Sequence, residues 1–456
     1  MSSILAIDAG SSSVRAMLDG HITQISYAPH ATPDGGVTVD PSQLLAITAE
    51  AIDRTLAAAP GSAVAAVAMD TFVGNLMGVA DDPTTPLFTW ADTRRLDRPL
   101  DLEAAAYRER TGTRIHPSYW PLRLDWLAVQ HPGDFARTRY WMSFSDYFLF
   151  RLFGVRRVSP SVAAWSGLLN RHTMQWDEAT LRVLPVRRSQ LSEISGEPVR
   201  GLPATWAARW PRLRDVPWFP AVGDGYAANV GVGCVTPEFT ALTLGTSGAL
   251  RVLIPGIPAQ APDGLFAYRV DSARTLVGGA MSSAGNLFAW MTQTFAIDEA
   301  AIEAAAEIAP DGHGLTMLPF LAGERAPGWN AKARAVFSGM SLSTTPAELL
   351  RAGLEAVAYQ CYQIGRRLPV RSKAIIAGGT AIAASPLWAE IIADVLGVPV
   401  IVSTEVEATL RGTAALAAGI DPAPAEGRRF EPNPAHHDIY RYAVARQETL
   451  YHQVLG

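Results

Sequence analysis

The chain opens with a short apolar run, Ile4 to Ile7, a turn of small residues, Asp8-Ala9-Gly10-Ser11-Ser12-Ser13, and a second run ending at Leu18. That reads as a strand, a tight turn and a strand. The same unit recurs mid-chain, with Thr240 to Leu244, Gly245-Thr246-Ser247-Gly248 and Leu250 to Ile254. A supersecondary unit that comes twice points to two related α/β halves. The similarity is architectural, since the halves share little residue identity. A boundary near Pro237 gives domains over residues 1–237 and 238–456, consistent with 456 residues being too many for one ordinary core.

Around these units the periodicity predicts a helix from Pro41 to Ala59 and a buried strand from Val64 to Met69. Helical spacing also marks Leu122 to Val129 and Tyr147 to Leu152, and the stretch between Pro185 and Pro220 is loop-heavy. In the second half, Thr275 to Val277 is a short strand leading into Gly278-Gly279, and Ala347 to Arg367 is a long amphipathic helix. Ala374 to Ala377 is a strand running into Gly378-Gly379, followed by a helix over Pro386 to Leu396 and a strand over Val398 to Val402. From Asp421 the tail is Pro-rich, then helical from Tyr440 to Leu455.

Composition narrows the function. Apolar residues make up 48% and charged residues 18% of a chain with net charge -5 and no run of Lys or Arg. This excludes sequence-independent binding to nucleic acid or to an acidic membrane. No stretch reaches transmembrane length, and the start Met1-Ser2-Ser3 lacks the basic region of a signal peptide, so the expected address is the cytoplasm. Cys234 and Cys361 stand apart from any metal-type cluster and read as small buried hydrophobes.

Chemistry concentrates in the turns. Gly10 permits a bend whose N–H groups converge, and Ser11, Ser12 and Ser13 add hydroxyl donors, so the turn suits phosphate oxygens. Asp8 can orient a metal ion and Arg15 adds positive charge; a plain polar hairpin is the alternative. Gly245, Thr246 and Ser247 form the matching turn, and two such turns can clamp a polyphosphate from both sides of a cleft. Gly223-Asp224-Gly225 precedes an Ala-rich helical segment, where the local sequence favours a helix cap for Asp224 over a base for an attacking hydroxyl, which the residue also suits. Trp90-Ala91-Asp92-Thr93-Arg94-Arg95 combines an apolar plate with an acceptor and bidentate donors, as sugar sites do; a solvated loop with one Trp anchor reads as well. Gly378-Gly379-Thr380 allows a flat ligand such as adenine against bare backbone, with Ser385 and Trp388 just beyond, or a tight strand-to-helix turn. His116, His172 and His313 show no metal-ligand spacing and read as ordinary polar or core residues.

Taken in order, these segments resemble the FGGY family of carbohydrate kinases over nearly the whole chain. To them are added Leu318-Pro319-Phe320-Leu321-Ala322-Gly323-Glu324-Arg325-Ala326-Pro327, Phe337-Ser338-Gly339-Met340 and the helix through Glu355. The resemblance implies two α/β domains of the actin, hexokinase and Hsp70 ATPase (ribonuclease H-like) fold around a central cleft. It implies Asp224 as catalytic base, Asp8 and Asp224 as the Mg²⁺ site, and both turns as holders of the ATP phosphates. Gly285, Gly378, Gly379 and Ser385 would meet the nucleotide. Asp70, Gly74, Trp90, Asp92 and Arg94, with Asp224, would bind the sugar. Within the family the chain looks most like gluconate kinases, through the Trp90 loop, Ser143 to Gly154, Ser166 to Asn170, Trp176-Asp177 and Gly323 to Pro327. It departs at Gly74, where relatives often carry a histidine, at Arg123 in place of Lys, and at Gly353 in place of a slightly larger residue.

The expected activity is therefore ATP- and Mg²⁺-dependent phosphorylation of a small sugar or sugar acid, gluconate first, with a ketopentose such as xylulose or a polyol as runner-up. An actin-like ATPase or a catalytically silent sugar sensor are the rivals of another class, and the sequence leaves a homodimer open.

Overall fold

The computed structural model describes residues 3–455; Met1 and Ser2, read above as an uncharged start, lie outside the described residues. The opening turn sits between the strands Ser3–Ala9 and Ser13–Leu18, which pair antiparallel, and His21–Ser26 extends the ribbon. On the other side of Ser3–Ala9 the strands Val64–Thr71 and Val222–Gly223 add in parallel. The second sheet repeats the pattern. Phe239–Leu244 pairs antiparallel with Gly248–Pro255, which pairs with Arg274–Met281, while Ala374–Gly378 and Val400–Ser403 add in parallel. Phe266–Arg269 and Gly427–Phe430 close the two edges, giving seven strands against five. The two halves thus share one topology, as the repeated unit implied.

Each sheet buries its own core. Leu5, Ile7, Val14, Val67 and Met69 pack with Leu44 and Ile52 of the helix Pro41–Ala58, whose N-terminus is capped by Asp40. In the second half the helix Pro346–Gly365 lies in the main cluster with Leu242, Leu250 and Ile375. Thr345 and Glu348 form a capping box at its start, and Pro346 takes the first helical position. Two expectations shift. The strand at Thr275 runs on through Gly278 and Gly279 to Met281, and the Pro-rich tail carries the edge strand Gly427–Phe430 before its helix, Pro434–Leu455. Among the described residues no helix is long and apolar enough to cross a membrane.

The halves meet where the helix Asp224–Gly231 crosses the helix Ala408–Ala418. A β-carbon on Gly231 would lie 1.7 Å from the Ala408 carbonyl oxygen, and one on Gly412 would lie 1.8 Å from that of Ala227. The backbones touch, so neither position admits a side chain. Gly412→Ala is expected to lower the unfolding midpoint in denaturant by the equivalent of about 1–3 kcal/mol, the cost of overpacking a fixed contact. An unchanged midpoint would show that the two helices slide apart freely.

Candidate active site

The crossing sets the helix Asp224–Gly231 at the mouth of a cleft between the sheets. Gly223 is its N-cap, so Asp224 is the first helical residue, and a carboxylate oxygen accepts the Gly225 N–H at 2.7 Å. Burial raises the Asp224 carboxyl to about 6, Asp8 adds to the rise, and the Gly225 N–H, Arg251 and Arg325 hold it down. Asp8 lies near the end of the strand Ser3–Ala9, two places along the sheet from Val222–Gly223, with one oxygen paired with Arg15. Arg15 in turn reaches Glu407, at the start of the helix Ala408–Ala418, at 2.6 Å.

Two pockets adjoin at the Gly245–Gly248 turn. The smaller, about 280 Å³, is lined by Asp224, Ser11, Ser247, Gly74, Trp90 and Arg325, together with Val73, Ser118, Tyr119, Trp165, Arg251 and Tyr268. The larger, about 870 Å³ and mostly apolar, is lined by Gly245, Thr246, Gly285, Thr380, Ser385 and Trp388, with Phe288, Trp290 and Leu354. Gly285 starts the helix Gly285–Thr294 and donates to the Gly245 carbonyl at 2.8 Å, which clamps that helix against the turn. Gly378 and Gly379 end the strand just before Thr380, and Ser385 caps the helix Pro386–Leu396 through the Trp388 N–H. In the opening turn, the Gly10 N–H is spent on the Ser13 carbonyl at 2.9 Å, Ser11 faces the small pocket and Ser12 is exposed.

Four expected sugar contacts read differently in the structure. Asp92 is fully buried: it pairs with Arg94 at 2.6 Å and with the buried Arg123 at 3.3 Å, and accepts the Val37 N–H. Arg94 lies over the Trp126 ring, 4.8 Å from its centre, and lines a different hollow. Neither reaches the cleft; both brace the loop that presents Trp90. Burial lowers Arg123 to about 10, with Asp92 opposing the shift, so the departure from Lys serves this network. Asp70 sits beside Asp8 in the sheet, fully buried, with Thr413 donating to it at 2.6 Å. Burial and the Asp8 charge push its carboxyl well above the usual range, and it too lies outside the sugar pocket. Gly74 has φ +73°, and a β-carbon there would lie 2.8 Å from the Ser118 carbonyl oxygen. The chain needs glycine there, so no side chain is missing; the side chain that shapes the pocket is that of Val73.

Residues that the sequence reading passed over complete the wall. Arg251 is buried, bonds Thr243 at 2.8 Å and leaves Nε without a partner. Arg325 lies 5.1 Å from the centre of the Trp90 ring, its Nε also buried and unpartnered. A charged residue inside the apolar strand Gly248–Pro255 was the signal for Arg251. Elsewhere, Asp311, His313 and Glu355 cluster, but Glu355 already accepts from Arg351, Tyr359, Tyr440 and His313, a closed polar network and not an open metal site. His116 is pushed down to about 3 by burial and the Arg325 charge, His172 is exposed, and both thiols are buried and free.

Two sheets of one topology, joined at a helix crossing and facing each other with small-residue turns across a cleft, make this a protein of the actin and hexokinase fold. More narrowly, the chain belongs to the FGGY family of carbohydrate kinases, which transfer a phosphoryl group to an alcohol. Its residues 3–231 match the family's N-terminal domain and 240–419 its C-terminal domain. It is 26% identical to the gluconokinase of Bacillus subtilis (strain 168), over 91% of this chain and 86% of that one. It is 30% identical to the glycerol kinase of Geobacter sp. (strain M21), over 77% and 76%. In structure it is similar to the ligand-bound xylulose kinase of Lactobacillus acidophilus, with TM-score 0.89 and 24% identity over 100% and 98% of the chains.

Because Asp92 is a brace, Asp92→Asn is expected to cost about 3 kcal/mol of stability by leaving Arg123 buried without its counter-charge. A drop in melting temperature with little change in sugar KM fits the brace; a raised KM at unchanged melting temperature would return Asp92 to the sugar site.

Proposed function

We propose that this chain is an ATP-dependent kinase for a small sugar acid, with gluconate the preferred acceptor. The observation that carries the reading is the pair of adjoining pockets, one nucleoside-sized and one sugar-sized, divided by the Gly245–Gly248 turn with Asp224 on the sugar side. ATP fits with its base and ribose in the large pocket, near Gly285, Thr380 and Ser385, and its phosphates along Gly245, Thr246 and Ser247 toward Ser11. The acceptor then lies against Trp90, Trp165 and Tyr119 with one hydroxyl at Asp224.

Asp224 accepts the hydroxyl proton as the oxygen attacks the γ-phosphate in line, and a carboxyl near 6 is largely ionised at neutral pH yet still basic. Asp8, near the end of the strand Ser3–Ala9, and Asp224, at the start of the helix that follows Val222–Gly223, are oxygen donors at the same end of one sheet and fit Mg²⁺, which when bound would offset phosphate charge. Arg251 and Arg325 favour an acid over a neutral sugar: two guanidiniums beside the acceptor, each with an unused buried Nε, suit a carboxylate. A ketopentose such as xylulose would use the aromatic wall alone.

With MgATP, Asp224→Ala is expected to lower kcat by roughly 10²–10⁴-fold, the range for a lost general base, while ATP still binds. Turnover retained near the parent rate would sink the assignment of Asp224 as the base. The rate should fall below pH 6 as Asp224 protonates, since only the carboxylate accepts a proton. The raised value also means that folding gains from Asp224 at low pH and loses that gain as pH rises through 6, so Asp224→Asn should melt higher than the parent at pH 7.5. Arg325→Met should raise KM for gluconate by roughly tenfold or more and leave xylulose little changed. Equal loss for both acceptors would place the carboxylate elsewhere.

A further inference from the structure

The loop Glu324–Gly328 has a pocket on either side. Arg325 lines the cleft, while Glu324, Pro327 and Gly328 line a second pocket of about 300 Å³. The helices Pro346–Gly365 and Pro434–Leu455 wall it, and Arg114 enters from the first half.

Two buried amides in this pocket each leave one atom unused. Gln360 is 4% exposed; its Nε2 donates to the Ala326 carbonyl at 2.9 Å, and its Oε1 has no partner. Gln363 is 8% exposed; its Oε1 accepts from Arg367 at 3.0 Å, and its Nε2 has none. Neither amide can be reversed. Turning Gln360 would set its oxygen against a carbonyl, and turning Gln363 would set its NH₂ against a guanidinium. The Nε of Arg114 is a further buried donor without a partner. The side chains that wall the pocket therefore hold a fixed acceptor and fixed donors without partners, each bearing the cost of desolvation until something serves it.

The ligand class follows from that mixture. An anion would leave Gln360 Oε1 unserved, and the Arg114, Arg367 and His452 of the lining are matched by Glu324, Asp263 and Glu448. A cation would leave the donors unserved. Hydroxyl groups donate and accept, and the rings of Phe320 and Tyr451 offer faces for C–H groups. The space exceeds by roughly tenfold the ~30 Å³ share of one water. We propose that this pocket is a second binding site, for a small polyhydroxylated molecule of roughly three to six carbons, and that its occupancy is felt at Arg325. The bonds of Gln360 to Ala326, and of Glu324 to Gly328 at 3.0 Å and to Tyr451 at 2.6 Å, fix the loop on both sides of Arg325. The site stands on its own geometry; only its effect on the cleft rests on the kinase reading.

The test is calorimetric titration of the full-length chain with glycerol, erythritol and D-glucose, beside Gln363→Met and Arg114→Met. These variants change opposite walls, and their melting temperatures verify folding. At least one probe should bind the parent and lose roughly tenfold in affinity in both variants, with kcat kept. Binding equal in parent and variants, or no binding by any probe, overturns the site and leaves ordered water as its occupant. The bound probe should also change the acceptor KM at least twofold in the parent but not in Gln363→Met. An unchanged KM with binding intact overturns the link to Arg325. Absence of turnover with every acceptor would sink the kinase reading and leave the titration result standing.

Discussion

The contact between Gly231 and Gly412 carries more of this molecule than its size suggests. With no side chain between them, two helices from different halves are held at backbone distance, and their first residues are thereby fixed as well. One helix begins with Asp224; the other is preceded by Glu407, which reaches across to Arg15 and through it to Asp8. Further along the second helix, Thr413 donates to Asp70 inside the first sheet. A wider crossing would separate the carboxylates from the turns that face them, because no flexible side chain is present to take up the slack.

At that point three carboxylates gather in one sheet edge, and the fold copes with the repulsion by treating each differently. Asp70 is shut off from solvent and meets the Asp8 charge, which together push its carboxyl well above the usual carboxylate range, with a threonine hydroxyl on one oxygen. Asp8 keeps a guanidinium. Asp224 has a backbone N–H and two more distant arginines, enough to leave it ionisable near neutrality but not strongly acidic. Carboxylates close in space acquire different protonation states from their surroundings. Here burial, a counter-ion and a helix N-terminus supply the three environments.

How much of this could be read from the sequence depends on whether backbone or side chains do the work. The two small-residue turns, the strands around them and Asp224 between glycines were legible, because close backbone approach demands Gly, Ser and Thr at fixed places. The sugar loop misled for a physical reason. Asp92 and Arg94 look the same in sequence whether they point at a ligand or at each other, and only burial decides. Gly74 misled in the opposite way, since a glycine required by positive φ looks like a side chain lost from a pocket. Arg325 was legible as part of a motif but not as a wall of the cleft. Its role depends on a loop that comes forward from a helix more than thirty residues away, through the Gln360 bond to Ala326.

The same division explains why one fold serves acceptors as different as a polyol, a ketose and a sugar acid. On the kinase reading proposed above, the phosphate side is two turns and one helix start, in which nearly every relevant atom is backbone and tolerates little change. The acceptor side draws single side chains from distant segments: Val73, Trp90, Tyr119, Trp165, Arg251 and Arg325. They differ in what else they hold: Val73 and Trp90 are only partly buried, while Tyr119 and Trp165 pack in the core with Phe266 and Tyr268, and Arg251 bonds Thr243 of the adjacent strand. Specificity in such a site is a sum of separable contacts, whereas the transfer step depends on one geometry. An arginine at 251 or 325 therefore changes which molecule is held, while the helix crossing fixes where its hydroxyl must arrive.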